Sequence, residues 1–186
     1  MSTLKADAIT AVTADTNLAL TGSGTGIVTV DGLARPFAQV LSMSVAASNG
    51  TTGIPWDDTV PVSTEGTEIG TQAITVGSTS NKVLIIGTVI AGNSGAATGI
   101  TVALFRGSTC IASVVGHMDG ANDSYGLSFS LLDSPSTAGS VTYSLRAGSE
   151  TATSTNWVIN KHNGGGAHDQ GATSDNNGIL LIEIVA

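Results

Sequence analysis

The side chains best suited to chemistry in this chain are the acidic residues of one short stretch, GIPWDDTVPVSTEGTEIG, residues 53 to 70. Its carboxylates are Asp57, Asp58, Glu65 and Glu68. Two carboxylates about 5 to 10 Å apart could hydrolyse a glycosidic bond, and clustered oxygen ligands could bind Ca²⁺. Asp57 and Asp58 are adjacent, however, and would point to opposite sides of an extended chain. Because Pro55 and Pro61 also stiffen the stretch, we expect a solvated connector between strands rather than a catalytic or metal site.

The histidines and their neighbouring aspartates are the other candidates for a metal or acid–base site. These residues are His117, Asp119, His162, His168 and Asp169. A structural zinc site needs four converging ligands, and HNGGGAHD spaces two His in a glycine loop without fixed geometry. The single cysteine, Cys110, lies in the apolar run CIASVV, so we predict a small buried side chain and no intrachain disulfide. We therefore expect loop histidines with no metal and no cofactor, and keep His162, His168 and Asp169 as a candidate receptor-binding loop.

The sequence motifs indicate neither nucleotide binding nor nucleophilic catalysis. GSGTG, residues 22 to 26, lacks the spacing of a nucleotide-binding glycine loop and the Lys of a P-loop, and it precedes the strand-like IVTV rather than a helix. The chain has no G-x-S-x-G nucleophile motif. We expect a hairpin at GSGTG and no enzymatic activity.

The two tryptophans could stack on sugar rings if they were exposed. Aromatic residues make up only 4% of the chain, however. We therefore predict that Trp56 and Trp157 are packing anchors, buried in the core or at a subunit interface. An exposed Trp56 would instead favour glycan binding.

The overall composition limits the partners. The net charge is -8, and six Lys and Arg are spread over 186 residues, so no basic patch can form and nucleic-acid binding is not expected. The longest apolar runs, such as ILLIEIVA, fall short of the roughly 18 residues of a membrane span. MSTLKADAIT lacks the apolar core of a signal peptide, so we expect synthesis in a cytoplasm and no membrane partner.

Short apolar runs divided by Gly, Ser, Thr and Asn predict an all-β protein. The predicted strands are Phe37 to Ala46, Thr67 to Val76, Lys82 to Ala91, Ile100 to Phe105, Cys110 to Val115, Tyr125 to Leu132, Ser140 to Arg146, Asn156 to Asn160 and Ile179 to Val185. Eight or nine such strands favour a two-sheet jelly-roll β-sandwich over residues 36–186. FRGSTC, residues 105 to 110, predicts a tight hairpin.

Two of these strands are apolar on both faces. VLII, residues 83 to 86, and ILLI, residues 179 to 182, have no polar face to give to water. One face would meet the sandwich core and the other a second subunit. The polar, Gly-rich segments 93 to 99, 116 to 124 and 160 to 178 are expected to be surface loops.

The N-terminal residues 1–35 form a separate unit in this interpretation. LAL (18 to 20) and VTV (28 to 30) alternate around TGSGTG, which predicts a β-hairpin arm too poor in large apolar residues to form its own core. The arm must therefore lean on a partner. Its predicted partner-binding residues are Leu4, Ile9, Val12, Leu18, Leu20, Ile27, Val28 and Val30.

Three separated stretches resemble tailed-phage virion surface proteins of the fibre type. These are MSTLKADAIT with LALTGSGTGIVTVDGL, then IPWDDTVPVSTEGTEIGTQAITVGSTSNKVLIIG, and the closing ILLIEIVA. The resemblance implies a tumour-necrosis-factor-like jelly-roll head, a homotrimer, and an N-terminal segment that attaches to the particle. It implies no catalytic residues.

Two functional hypotheses follow. In the first, the chain is a homotrimeric capsid decoration, or cement, protein on the virion surface, anchored to the major capsid protein or another virion protein by its arm. In the second, it is a short tail fibre or head fibre that binds a host-surface glycan through its loops. Copy number per particle separates the two.

Overall fold

A computed structural model of the chain describes residues 37–151, 157–160 and 178–186. The predicted arm, with its eight partner-binding residues and the GSGTG hairpin, lies outside the described residues. So do His162, His168 and Asp169 of the candidate receptor loop. The described residues form ten β-strands: β1 Phe37–Ser44, β2 Ser48–Gly50, β3 Thr67–Val76, β4 Lys82–Asn93, β5 Thr98–Arg106, β6 Thr109–Met118, β7 Ser124–Asp133, β8 Gly139–Ser149, β9 Trp157–Ile159 and β10 Gly178–Ile184.

The all-β prediction is confirmed over the described ranges, which contain no helix and hence no helix that could span a membrane. Nine of the ten strands coincide with predicted ones. The tenth, β2, is a three-residue polar strand that pairs with β9. The predicted hairpin at residues 105 to 110 is also present, with Gly107 and Ser108 between β5 and β6. Gly107 adopts a φ of 57°, a left-handed conformation that glycine tolerates best.

Sheet A has four rows, two of which consist of two strands in line. β4 pairs with β7 along one side, and with β10 and then β9 along the other. β1 pairs with β10, and β2 with β9. The rows therefore run β1/β2, β10/β9, β4, β7. Sheet B has the order β3, β8, β5, β6, and all pairs in both sheets are antiparallel.

The two sheets pack face to face around one apolar core. Alternate residues of each strand point into it, because side chains of a strand alternate between faces. Val83 and Ile85 enter from sheet A, and Val102 and Leu145 from sheet B. Trp157 lies fully buried in this core, and its Nε1–H donates to the Thr52 carbonyl at 3.0 Å. The prediction that Trp157 is a packing anchor is confirmed.

A buried polar contact ties the sheets together at one end. The Tyr143 hydroxyl, from β8, donates to Asp133 Oδ2 of β7 at 2.6 Å, and Arg106 of β5 forms an ion pair with Oδ1 of the same carboxylate. Burial, followed by this hydrogen bond to the carboxylate, raises the pKa of Tyr143. Tyr143 therefore stays neutral and serves as a donor between the sheets.

A second polar contact fixes the end of β10. Glu183 is buried, but its carboxylate accepts hydrogen bonds from Asn81 Nδ2 and Gly77 N at 2.7 Å and from Gln39 Nε2 at 2.8 Å. Burial alone would raise the pKa of Glu183; these donors to the charged form outweigh it and hold the pKa below its ordinary value. The charged carboxylate thus joins β10 to β1 and to the turn before β4.

The two ends of the sandwich are distinct. The base is the end where β1 begins at Phe37, beside Ile184 and Lys82 of the neighbouring rows. The opposite, distal end carries the turns at residues 94–97 and 119–123, which follow β4 and β6. Phe37, the first described residue, therefore lies at the base, away from these two turns.

Candidate functional site

The acidic stretch packs over the outer face of sheet B, as part of the connection from β2 to β3. We call residues 51–66 the cover segment. Ile54 donates its N–H to the Ser149 carbonyl at 2.8 Å and packs on Ala103 and Phe105, which point outward from β5. Arg146 holds the far end through the carbonyls of Glu65 and Gly66, at 2.6 and 2.8 Å. The sequence had suggested a connector that is only solvated, whereas this connector is fixed to the sheet.

Two carboxylates of the cover segment, those of Asp57 and Glu65, cap turns within the segment. Asp57 Oδ1 accepts hydrogen bonds from the hydroxyl and the N–H of Thr59, which hold the pKa of Asp57 below its ordinary value. Glu65 Oε2 accepts from the Val62 N–H at 2.9 Å. Within the described ranges, no three His, Cys, Asp or Glu side chains come close enough to hold a metal ion. Asp57 and Glu65 therefore have a local structural role.

Trp56 contradicts the prediction that it would be buried, because 43% of its surface is exposed. Its indole lies against the backbone of Gly99 in β5, where any Cβ would collide with the ring. The Trp56 Nε1–H donates to Thr101 Oγ1 at 2.8 Å. Glycine and threonine at these positions hold the ring against the outer face of sheet B. The result is an oriented aromatic side chain that retains a large exposed surface.

His117 lies beside Trp56, because it pairs with Gly99 in the register of β5 and β6. The two ring centroids are 6.0 Å apart, and His117 Nδ1 lies 3.1 Å from Asp119 Oδ1. The predicted neighbours His117 and Asp119 are therefore brought together, both with exposed side chains. Beside them are aromatic and apolar surfaces rather than further metal ligands.

A groove of about 380 Å³ opens next to His117, between the edge strands β6 and β7. Its lining consists of Val115, Gly116, His117, Tyr125 and Leu127. Val115 and Tyr125 are 55% and 45% exposed. Trp56 is not part of this lining but adjoins it, with its ring centroid 6.0 Å from that of His117. We call the five lining residues together with the adjoining Trp56 the distal groove. Its volume falls in the range of small-ligand sites, about 300 to 1,000 Å³.

Most of the distal groove was missed in the sequence. Tyr125 and Val115 belong to predicted strands, but their positions on two facing edges depend on how the sheets pair. One signal was present: Gly99 directly precedes the predicted strand Ile100 to Phe105 and lies within β5, and glycine in a strand often marks a close approach of another group. Cys110 was predicted to be buried and is only partly so, against the apolar cluster beneath the cover segment.

The outer face of sheet A is a second candidate surface and carries a continuous apolar patch. One line of cross-strand partners consists of Val40, Ile182, Leu84 and Leu132, each paired with the next. Leu180 and Ile86 are partners in the adjoining line. We call these six residues the bare face. Val40, Ile86, Leu132 and Leu180 are exposed, and no described residue of the chain covers them.

Comparisons with known proteins give no family. No protein-family model matches the chain, and no curated protein sequence matches it. Solved structures offer distant likenesses. Structures with 10% to 13% identity include the insecticidal delta-endotoxin Cry8Ea1 from Bacillus thuringiensis, with TM-score 0.38 over 75% of this chain and 20% of that one.

Two further likenesses are to viral and phage proteins. The infectious bursal disease virus Gx strain structure has TM-score 0.40 over 89% of this chain and 41% of that one. The enzymatically active domain of bacteriophage CBA120 tailspike protein 4 has TM-score 0.24 over 78% and 18%. The chain spans less than half the length of each of these structures, so their activities do not transfer to it.

Proposed function

We propose that this chain is a non-enzymatic structural protein of a phage virion, a homotrimeric capsid decoration protein with a jelly-roll head. The observation that carries the proposal is the bare face. Monomeric soluble proteins seldom leave a contiguous apolar surface of this kind in water, and such patches usually mark protein interfaces. The phage setting comes from the resemblance of the N-terminal, central and C-terminal stretches to virion proteins.

The strand order supports the jelly-roll part of the proposal. In chain order, successive long strands alternate between sheets or pair across a tight turn, giving rows β1, β10, β4, β7 and β3, β8, β5, β6. First and last strands are neighbours in sheet A. This interleaved order is the one expected when a long hairpin is wrapped around a barrel, as in jelly rolls.

A trimer would use the bare face as one half of a repeated contact. Cyclic trimers have heterologous interfaces, in which a patch on one subunit meets a different patch on the next. Burying six aliphatic side chains would supply the apolar centre that stable interfaces share. The remaining exposed surface would keep its polar Ser and Thr side chains in water.

Attachment by residues 1–35 agrees with the layout of the head. The chain joins the sandwich at Phe37, at the base. A head held there would present its distal end away from the particle surface. The arm would lie along the capsid, add buried area across subunit joints, and so help the shell to resist internal pressure.

The self-association part is tested by placing a charge on the bare face. Ile86→Glu should reduce the molecular mass of the protein in solution from about three times the 18.4 kDa chain mass to that of a single chain, measured by light scattering after gel filtration. The matched control is Thr142→Glu, which adds the same charge to an exposed position on the outer face of sheet B. A wild-type monomer, or equal effects of both changes, would contradict the trimer.

The virion part is tested on purified particles. Hundreds of copies in fixed ratio to the major capsid protein would support decoration. A few to a few tens would support the second candidate, a fibre that binds a host glycan, which the exposed Trp56 at the distal end favours. Unchanged particle binding after removal of residues 1–35 would disprove the anchor assignment.

A further inference from the structure

We infer that the distal groove binds an uncharged hexopyranose unit of a glycan, with Trp56 as the stacking ring. This inference does not depend on the decoration role; it gives a site and a sugar class to the glycan binding of the second candidate. Four properties carry it: an oriented aromatic surface that adjoins the groove, an aromatic ring in the groove lining, a polar pair at the rim, and the sign of the nearby charges.

The first property is the fixed orientation of Trp56. A side chain already held by Thr101 and Gly99 loses little conformational entropy when a ligand arrives. One side of the indole is occupied by the β5 backbone, while 43% of the residue remains exposed. The C–H groups on one side of a pyranose form an apolar surface that can pack on such a ring.

The second property is the composition of the cleft. Tyr125 stands on β7, across from Val115 and His117 on β6. Val115 and Leu127 supply aliphatic surface, and Gly116 has no side chain to fill the space between the edges. A volume of about 380 Å³ accommodates a sugar unit or two while leaving the groove open to the rest of a chain.

The third property is the pair of polar groups at the rim. His117 and Asp119 are joined through Nδ1 and Oδ1, which orients the imidazole. The hydroxyl groups around a sugar ring both donate and accept hydrogen bonds. A carboxylate oxygen and the second imidazole nitrogen offer partners for two of them, while the ring C–H surface lies on the aromatics. Apolar walls with a few polar groups at the rim are typical of ligand sites.

The fourth property selects an uncharged sugar. Asp57 and Asp58 directly follow Trp56, and Asp119 and Asp123 lie in the turn after β6. The three described cations lie elsewhere: Lys82 and Arg106 at the base, and Arg146 on the carbonyls of the cover segment. Sialic and uronic acids would bring another negative charge into this field without a described Lys or Arg to receive it. Neutral hexoses match the site.

The binding experiment uses the full-length protein and a panel of neutral oligosaccharides built from glucose, galactose, mannose or N-acetylglucosamine, with sialyllactose as the anionic comparison. Binding is followed by tryptophan fluorescence and by calorimetry. We expect at least one neutral oligosaccharide to bind and to change the emission of Trp56, since Trp157 is buried away from the groove. Sialyllactose should bind at least tenfold more weakly.

Variants assign the effect to the groove. Trp56→Ala and Tyr125→Ala should each weaken binding of the selected sugar by about tenfold or more. Thr101→Val keeps the indole but removes its hydrogen bond, and should weaken binding by a smaller factor. The matched control is Val60→Ser, an exposed apolar position on the same cover segment outside the groove, which should bind like wild type.

Three results would overturn the inference. One is the absence of binding by every neutral oligosaccharide at millimolar concentration. Another is binding that survives Trp56→Ala and Tyr125→Ala together. The third is protection of Trp56 from acrylamide quenching in the wild-type oligomer, lost when Ile86→Glu makes the protein monomeric. That result would assign the groove to an interface between copies of this chain.

Discussion

The outer faces of the two sheets differ in whether the chain itself covers their apolar side chains. Both carry outward-pointing apolar side chains: Ala103 and Phe105 on β5 of sheet B, Leu84 and Ile86 on β4 of sheet A. On sheet B the chain itself supplies the cover, through Ile54 and the rest of the cover segment. On sheet A no described residue does so. A connector can therefore cover the outer face of one sheet while the outer face of the other sheet keeps exposed apolar side chains among the described residues.

The strongest way to break this comparison is to truncate one side chain on each face. Phe105→Ala should lower the free energy of unfolding by about 3 to 5 kcal/mol, because Phe105 is fully buried beneath the cover segment. Leu132→Ala should cost less than about 1 kcal/mol, because Leu132 is half exposed on the bare face.

Both variants are measured by urea unfolding in the Ile86→Glu background, so that self-association does not contribute. Equal costs would show that the two faces do not differ in the single chain. A large cost for Leu132→Ala in this background would mean that part of the same chain covers the bare face.

The end of the cover segment offers a second test. Gly66 has a φ of 61°, and a Cβ there would lie 2.6 Å from the Ala147 carbonyl oxygen. Gly66→Ala should therefore cost about 1 to 3 kcal/mol and loosen the cover, measured by chemical unfolding and by hydrogen exchange of the Gly53 and Ile54 amides. Gly107→Ala is the control, since its φ is 57° but no atom lies within 4 Å of the added carbon. Equal losses would mean that backbone strain alone, and not contact with β8, fixes this end.

Acid should destabilise sheet A before the cover segment on sheet B, and the effect should be smaller than those of the preceding substitutions. The pKa of Glu183 is lower in the folded chain than in the unfolded one, so its contribution is present above the ordinary glutamate range. It is lost as pH falls through the folded pKa. Glu183→Gln should cost about 1 to 2 kcal/mol near neutral pH and flatten the acid limb of the stability curve.

Hydrogen exchange locates this acid effect. Amides of β10 and β1 in sheet A should lose protection first, because Glu183 joins these strands, whereas the cover segment is held to sheet B by Arg146 and by the hydrogen bond from the Ile54 N–H to the Ser149 carbonyl. Glu68→Gln, at an exposed site on β3, is the control. An unchanged acid limb in Glu183→Gln would exclude this carboxylate as its source.

The strands were predictable because their periodicity is strong. Alternation on β5 and β8, and the doubly apolar runs of β4 and β10, identify both the strands and the bare face. β2 was not predictable: Ser48 to Gly50 has no apolar pattern, and it becomes a strand only because β9 lies beside it. Some strands also extend past their predicted ends, as β4 does to Asn93, because the added residues pair with neighbouring strands.

The site was less predictable than the fold, because it depends on contacts distant in sequence. Low aromatic content favoured a buried Trp56, and the glycine at position 99 indicated a close approach without showing that Trp56, 43 positions earlier, would be the group that approaches. The position of Val115 and Tyr125 in one groove, on edge strands of different sheets, likewise follows from the order of strands. What the sequence did identify was His117 with Asp119, since neighbours two apart stay close in any extended chain.

The division of one row of sheet A between β9 and β10 has a practical consequence. Ile159 is paired with Ala91 and Ile179 with Gly87, so β4 fixes two anchor points about 14 Å apart, four strand residues at about 3.4 Å each. The register of β9 and the register of β10 are each set by β4, so neither depends on the length of the chain that connects these two strands.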